Sequence, residues 1–234
     1  MIDTSSAKAE ILASIRQNLA ASRPFDTVYN EHHHLVENAA VICRTTHAVR
    51  AGQGASAYDL LPQFKTNLEA VAGKCRVVSG EKEVANAIQG IIDGLNPQAI
   101  AISDSDTVND LIDRINTDAA VLKNASKSEL FDCDVGITTA QWAIAETGTL
   151  VLESDQERSR LTSLLPPVHI CVLDAKNIRS TMGEILQVMQ KDLSKTVTFI
   201  TGPSRTSDIE LTLAIGVHGP RELYVIVVSD ETNA

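Results

Sequence analysis

Apolar positions recur along this chain in two rhythms, one helical and one extended. Over residues 4–21, Ala7, Ile11, Ile15 and Leu19 repeat every fourth residue and form one stripe, so this segment reads as an N-terminal helix that ends before Pro24. A polar connector follows to about residue 35. Residues 57–71 carry Leu60, Leu61, Phe64, Leu68 and Val71 on one side and predict a second helix. Beyond it, strand-like and helical patterns alternate. Strands are expected at 75–78, 99–103 and 119–122, with helices at 81–93, closed by Gly94, and at 107–115. That alternation predicts an α/β fold with a mostly parallel sheet flanked by helices. After residue 131 the spacing tightens. Strands at 135–138 and 148–152 lie so close in sequence that some antiparallel pairing is expected. A short helical turn at 158–165 stops at Pro166-Pro167. A strand at 168–173, a helix at 178–191, a strand at 197–201, a helix at 208–215 and a fully buried strand at 223–228 complete the pattern. The division expected is a helical arm and connector over 1–34 and one α/β domain over 35–234.

Composition narrows this picture. The chain has 234 residues, 44% of them hydrophobic but only 3% aromatic, so Val, Ile, Leu and Ala must build the core. A net charge of −10 argues against a general nucleic-acid binder, which needs a basic face. No apolar run approaches the roughly 20 residues of a membrane span. The first residues lack the basic-then-apolar order of a signal peptide, so a cytoplasmic protein is the simplest reading. The four cysteines, Cys43, Cys75, Cys133 and Cys171, form no CxxC pair. Cys75 and Cys171 fall in strand-like runs and read as buried free thiols, and no metal site is expected. The run His32-His33-His34 reads as a solvated loop.

Three segments carry candidate chemistry. In the first, residues 143–152, Glu146 sits among apolar neighbours, where a carboxylate needs a partner or a raised pKa. Thr147 and Thr149 add hydroxyls, and Gly148 permits close backbone approach. A general base, nucleophile or ligand anchor is one reading; a tight turn whose Glu caps nearby amides is the other. The second segment, 158–169, places Arg160 and Ser163 on one face of a helical turn. His169 there reads as a core histidine. In the third, a strand ending at Thr201 feeds a Gly202-Pro203-Ser204-Arg205 loop. Ser207 and Glu210 have capping-box spacing, which starts a helix at Asp208. A helix N-terminus with an arginine favours an anion, whereas Asp208 on the same turn opposes a bare phosphate and could orient Arg205. The alternative is a well-capped turn with a surface arginine. The loop lacks the Lys-Ser/Thr ending of a P-loop. His218, beside Gly219, is a further candidate for ligand contact.

Taken together, TTAQWAIAETGTLVL (138–152), RLTSLLPPVHI (160–170) and TGPSRTSDIE followed by GVHGP (201–220) resemble the LUD-domain family, its short C-type branch in particular. The resemblance covers about residues 99–228. It implies a fold like that of sugar-phosphate isomerases and CoA transferases (the NagB/RpiA/CoA transferase-like fold). It also implies a part in bacterial L-lactate oxidation to pyruvate beside partner subunits that carry iron–sulfur clusters. The chain ends without the cysteine-rich extension of a longer branch, so no redox cofactor is expected in it. Glu146 with Gly148 resembles the nucleophile context of CoA transferases, but Thr147 departs from their pattern. Arg160, Gly202, Ser204, Arg205, His218 and Gly219 fall on recurrent motif positions and are expected around one small-anion pocket. The leading expectation is an accessory or substrate-handling subunit. The alternatives are a stand-alone enzyme acting on a CoA ester or phosphorylated metabolite through Glu146, and a non-catalytic regulatory binder.

Overall fold

The computed structural model describes residues 56–157, 160–190, 194–207, 213–215 and 219–229, together with Ala13, which is helical. The rest of the expected 4–21 helix, the histidine run, Cys43, Asp208 and His218 lie outside the described residues. The chain divides into two units, Met1–Gly52 and Gln53–Ala234.

Helix α1, Ala57–Ala70, starts at a capping box in which Ser56 and Asp59 satisfy each other's backbone amides, and it buries Leu60, Phe64 and Leu68. Strand β1 (Lys74–Val78) leads to helix α2 (Gly80–Leu95). The left-handed residue that stops α2 is Asn96, φ 47°, two positions beyond the expected Gly94. Then come β2 (Ala99–Ile102), α3 (Asp106–Ile112), β3 (Ala120–Lys123), the short α4 (Lys127–Phe131) and β4 (Val135–Ala140). With β7 (Val168–Asp174) and β12 (Glu222–Val228), these strands form a six-stranded sheet in the order β1-β12-β7-β4-β2-β3. Every pairing in it is parallel. Helix α4 is not predicted by the apolar pattern, although Ser126 and Glu129 form a second capping box at its start.

Side chains alternate across the sheet because successive residues of a strand point to opposite faces. Val135 and Ile137 of β4, Val168, Ile170 and Val172 of β7, and Ile226 of β12 pack under α2 and α3 in one apolar cluster. Cys171 and Leu173 of β7, and Leu223, Val225 and Val227 of β12, point the other way and pack with α1.

Beyond that second face lies a four-stranded sheet in the order β8-β5-β6-β9, built from Ile178–Arg179, Trp142–Ile144, Thr149–Glu153 and Val197–Ile200. β5–β6 and β6–β9 are antiparallel, as the tight spacing predicts. Helix α6 (Met182–Met189) closes its outer side through Ile185 and Met189; helix α5 is the single turn Ser154–Glu157.

Two expectations are corrected. Ile178 and Arg179 do not start a helix. They pair with Ala143 and Ile144, and the helix waits for Thr181, whose side chain accepts from the Glu184 amide at 3.3 Å. The helix expected over 208–215 is also overturned at its described end. Leu213–Ile215 (β11) is a strand, antiparallel to Arg205–Ser207 (β10). Thr206 and Ile215 are β-branched and favour extended backbone, and cross-strand hydrogen bonds outweigh the local capping signal. Among the described residues no helix is long and apolar enough to cross a membrane.

Candidate functional site

The first motif is a turn pressed onto α1. Gly148 has φ +65°, and a Cβ there would stand 2.3 Å from the backbone nitrogen of Leu68, so no other residue fits. Asn67 Nδ2 donates to the Ala145 carbonyl at 2.7 Å and ties the turn to the helix. Ala145 is fully buried, but the Glu146 side chain points outward and is exposed. Its partner is the Met182 amide at the start of α6, which donates to Oε1 at 3.2 Å. The apolar surroundings expected for Glu146 are therefore absent, because the turn places it on the solvent side. The capping role is the one its contacts show.

The second motif reaches the same helix. Arg205 Nη2 donates to the carbonyl of Val71, the residue that ends α1, at 2.8 Å. A cation at a helix C-terminus complements the negative end of its dipole. Instead of serving a helix N-terminus, Arg205 closes a C-terminus. Threonines join the two motifs: the Thr147 and Thr149 hydroxyls lie 2.6 Å apart, and those of Thr149 and Thr201 2.7 Å apart.

Beside this junction, on the second face of the parallel sheet, is a cavity of about 190 Å³. The 3₁₀ turn Arg160–Ser163 and the residue after it contribute Ser163 and Leu164, and β9 contributes Phe199 and Ile200. Thr201, Gly202 and Ser204 come from the loop after β9; Gly219 and Pro220 precede β12, which adds Leu223. His169 of β7 completes the described lining. Ser163, Gly202, Ser204 and Gly219 thus converge from separate motif segments. Glu146, Thr147, Gly148, Thr149, Arg160 and Arg205 are not among the described lining residues.

Gly136 makes this arrangement possible. It sits across from His169 in the β4–β7 ladder, and a Cβ on it would fall 2.0 Å from the Thr162 carbonyl oxygen. The absent side chain lets the 3₁₀ turn lie directly on the sheet and carry Ser163 to the cavity wall. The Ser163 hydroxyl donates to the Arg160 carbonyl at 2.8 Å, and the Ser204 amide donates to the Pro220 carbonyl at 2.8 Å.

The described lining holds no charged side chain, and its one titratable group is His169. That ring is buried; Nε2 lies 2.9 Å from the Thr138 hydroxyl, and Nδ1 has no hydrogen-bond partner among the described residues. Burial pushes its pKa down to about 3, so the imidazole is neutral. A buried ring nitrogen without a partner is uncommon, and this one has almost no accessible surface of its own.

A match to the LUD domain runs over residues 61–228 and takes in both turns and every described residue that lines the cavity. The chain belongs to the LUD-domain family. Lactate utilization protein C of Bacillus subtilis is 37% identical over 114 residues, 46% of this chain and 47% of that one. The protein of the same name in Deinococcus radiodurans is 43% identical over 107 residues, 44% of this chain and 50% of that one. The alignments therefore span about half the length of these curated relatives. A crystal structure of a DUF162 family protein from Deinococcus radiodurans covers 75% of this chain and all of its own, with a TM-score of 0.58 and 25% identity.

The LUD domain holds a second polar cluster, at the carboxyl ends of β2 and β4, that sequence reading missed. Glu157 is buried, and its carboxylate accepts from the Thr139 amide and hydroxyl and from Gln141 Nε2. Gln141 Oε1 in turn accepts from the Glu153 amide at 2.6 Å, and Glu153 Oε1 from Trp142 Nε1 at 2.9 Å. The carboxylate is thereby satisfied, and the chain of bonds links the two sheets of the domain. No periodic signal marks Glu157, because its burial depends on β4 lying against α5. Cys133 and Cys171 are buried and Cys75 half-buried, all three as free thiols. Among the described residues no three His, Cys, Asp or Glu side chains stand close enough to hold a metal ion.

Proposed function

We propose that this LUD-domain chain serves bacterial L-lactate utilization as an accessory, substrate-handling subunit. In this reading its cavity holds a small anionic metabolite, and partner subunits carry the iron–sulfur clusters that move electrons. The observation that carries it is the convergence of Ser163, Gly202, Ser204 and Gly219, from separate motif segments, on one cavity beside the buried, neutral His169 ring. The names of the aligned relatives point to the same metabolism. The lining's chemistry narrows the ligand. Phosphoryl groups call for arginine, lysine or a helix N-terminus. With none of these in the described wall, hydroxyls and a neutral ring suit a single carboxylate with an adjacent oxygen.

The test joins assembly to binding. The full chain should co-purify with iron–sulfur proteins from lactate-grown cells, its deletion should impair growth on L-lactate, and calorimetry should detect L-lactate binding that Ser204→Ala weakens. A chain that never associates with such partners, and whose loss leaves growth on lactate unchanged, overturns the proposal.

A further inference from the structure

We infer that a notch between α2 and α3 is a docking site for a basic segment of a partner protein. One aliphatic side chain of that segment enters the notch, and flanking lysines or arginines pair with Asp106 and Asp110. The notch lies on the opposite face of the parallel sheet from the cavity described above, and the inference does not depend on that cavity's ligand.

Its size and its charge carry the inference. Val84 of α2, Leu111 of α3, Val172 near the carboxyl end of β7 and Val228 at the end of β12 give the notch an apolar lining, and its volume is about 170 Å³. That is close to the ~150 Å³ that holds a single benzene. It is well short of the ~300 Å³ at which sites for cofactor-sized ligands begin. One aliphatic side chain suits it. The rest of the lining is exposed, and its charge is uneven. Arg114 Nη2 meets a Glu81 carboxylate oxygen at 2.8 Å and ties α3 to α2, so this pair cancels. Asp106 and Asp110 remain, and neither carboxylate has an ion pair or hydrogen bond among the described residues. Asp106 has a local reason to be acidic, because it stands in the first turn of α3. Asp110 has none. It lies toward the negative end of the helix and four residues from a like charge. Arg114, four residues further on, is the cation placed to neutralise it, but Glu81 engages that guanidinium. Two carboxylates beside an apolar notch complement a segment with positive charge on either side of one apolar side chain, whereas a nucleic acid or an anionic lipid surface would be repelled.

The experiment is amide NMR of the full ¹⁵N-labelled chain titrated with the peptide Lys-Lys-Leu-Lys-Lys. Shifts should concentrate in residues 80–84 and 106–114. A peptide with glycine in place of leucine should bind about tenfold more weakly, the scale of one buried leucine. Asp106→Asn with Asp110→Asn should weaken binding about fivefold at low salt, as two exposed ion pairs are lost. Because the whole chain is acidic, at −10, Asp118→Asn with Asp132→Asn serves as the control; it removes equal charge elsewhere and should change affinity by less than about twofold. Asp110→Asn alone should raise the unfolding midpoint by about 1–2 °C, so weaker binding in it is not a failure to fold. Shifts scattered over the acidic surface, equal losses in the two double variants, or no binding of the peptide would overturn the inference. So would n-butylamine binding as tightly as the peptide, which would make the notch a small-amine site.

Discussion

The two faces of β7 differ although they belong to the same seven residues. Val168, Ile170 and Val172 lie in an unbroken apolar layer under α2 and α3. On the opposite face, Cys171 and Leu173 are equally buried, but His169 is polar and its neighbours on β4 are Gly136 and Thr138. The first face is filled by side chains and supplies stability. The second is filled only toward the carboxyl ends of the strands. Near the amino ends a backbone segment lies on Gly136, and a cavity remains beside it. The proposed metabolite site on this sheet thus occupies the part of one face where packing is given up.

The largest expected effect tests the filled face. Ile170→Ala should cost about 2–5 kcal/mol in denaturant unfolding, the range for a fully buried large-to-small change. L-lactate binding by the folded protein should be unchanged; a matching loss of affinity would mean that the faces are not independent. Next comes Gly136→Ala. Its Cβ would meet backbone, so overpacking should cost about 1–3 kcal/mol and displace the turn that carries Ser163. Calorimetry should show binding lost while circular dichroism still reports a fold; intact binding would remove the 3₁₀ turn from the site.

A third effect, comparable in size over the range measured, is with pH. His169 has a pKa of about 3 when folded and about 6.5 when unfolded, so in acid the unfolded chain takes up the proton first. Its neutral burial carries no penalty above about pH 6.5. Stability then falls as pH drops toward 3, by at most about 1.4 kcal/mol per unit. Glu129 and Glu222 are held below the usual carboxylate range by hydrogen bonds to Ser126 and to Lys74, so their losses begin at lower pH. Unfolding midpoints measured between pH 5 and 7.5 should show this slope, and the part due to His169 should disappear in His169→Phe.

Much of this architecture was legible before any coordinates. The helical stripe of Leu60, Phe64 and Leu68 is the buried face of α1. The alternation from residue 74 to 140 is the parallel sheet with α2 and α3. Of the residues expected around one pocket, Gly202, Ser204 and Gly219 line a cavity, whereas Arg160 and Arg205 are not in its described lining. The misreadings fall where local and distant signals compete. Ser207 and Glu210 have the spacing that caps a helix, yet Ser207 pairs with Leu213 in a hairpin. Glu146 has apolar neighbours in sequence and solvent in space. Arg205 was read with the residues that follow it, but its guanidinium reaches back 134 positions to Val71.

Periodicity and capping chemistry act within a few residues, and for that reason element types, the α/β class and the motif segments could be read from the chain alone. Partnership across the fold is another matter. The solvent-side position of Glu146, the closure of α1 by Arg205, the burial of Glu157 and the unpaired Nδ1 of His169 all depend on which distant backbone arrives beside them. Contacts that close long loops carry no local signature, since their geometry is set only when the sheets and α1 pack together.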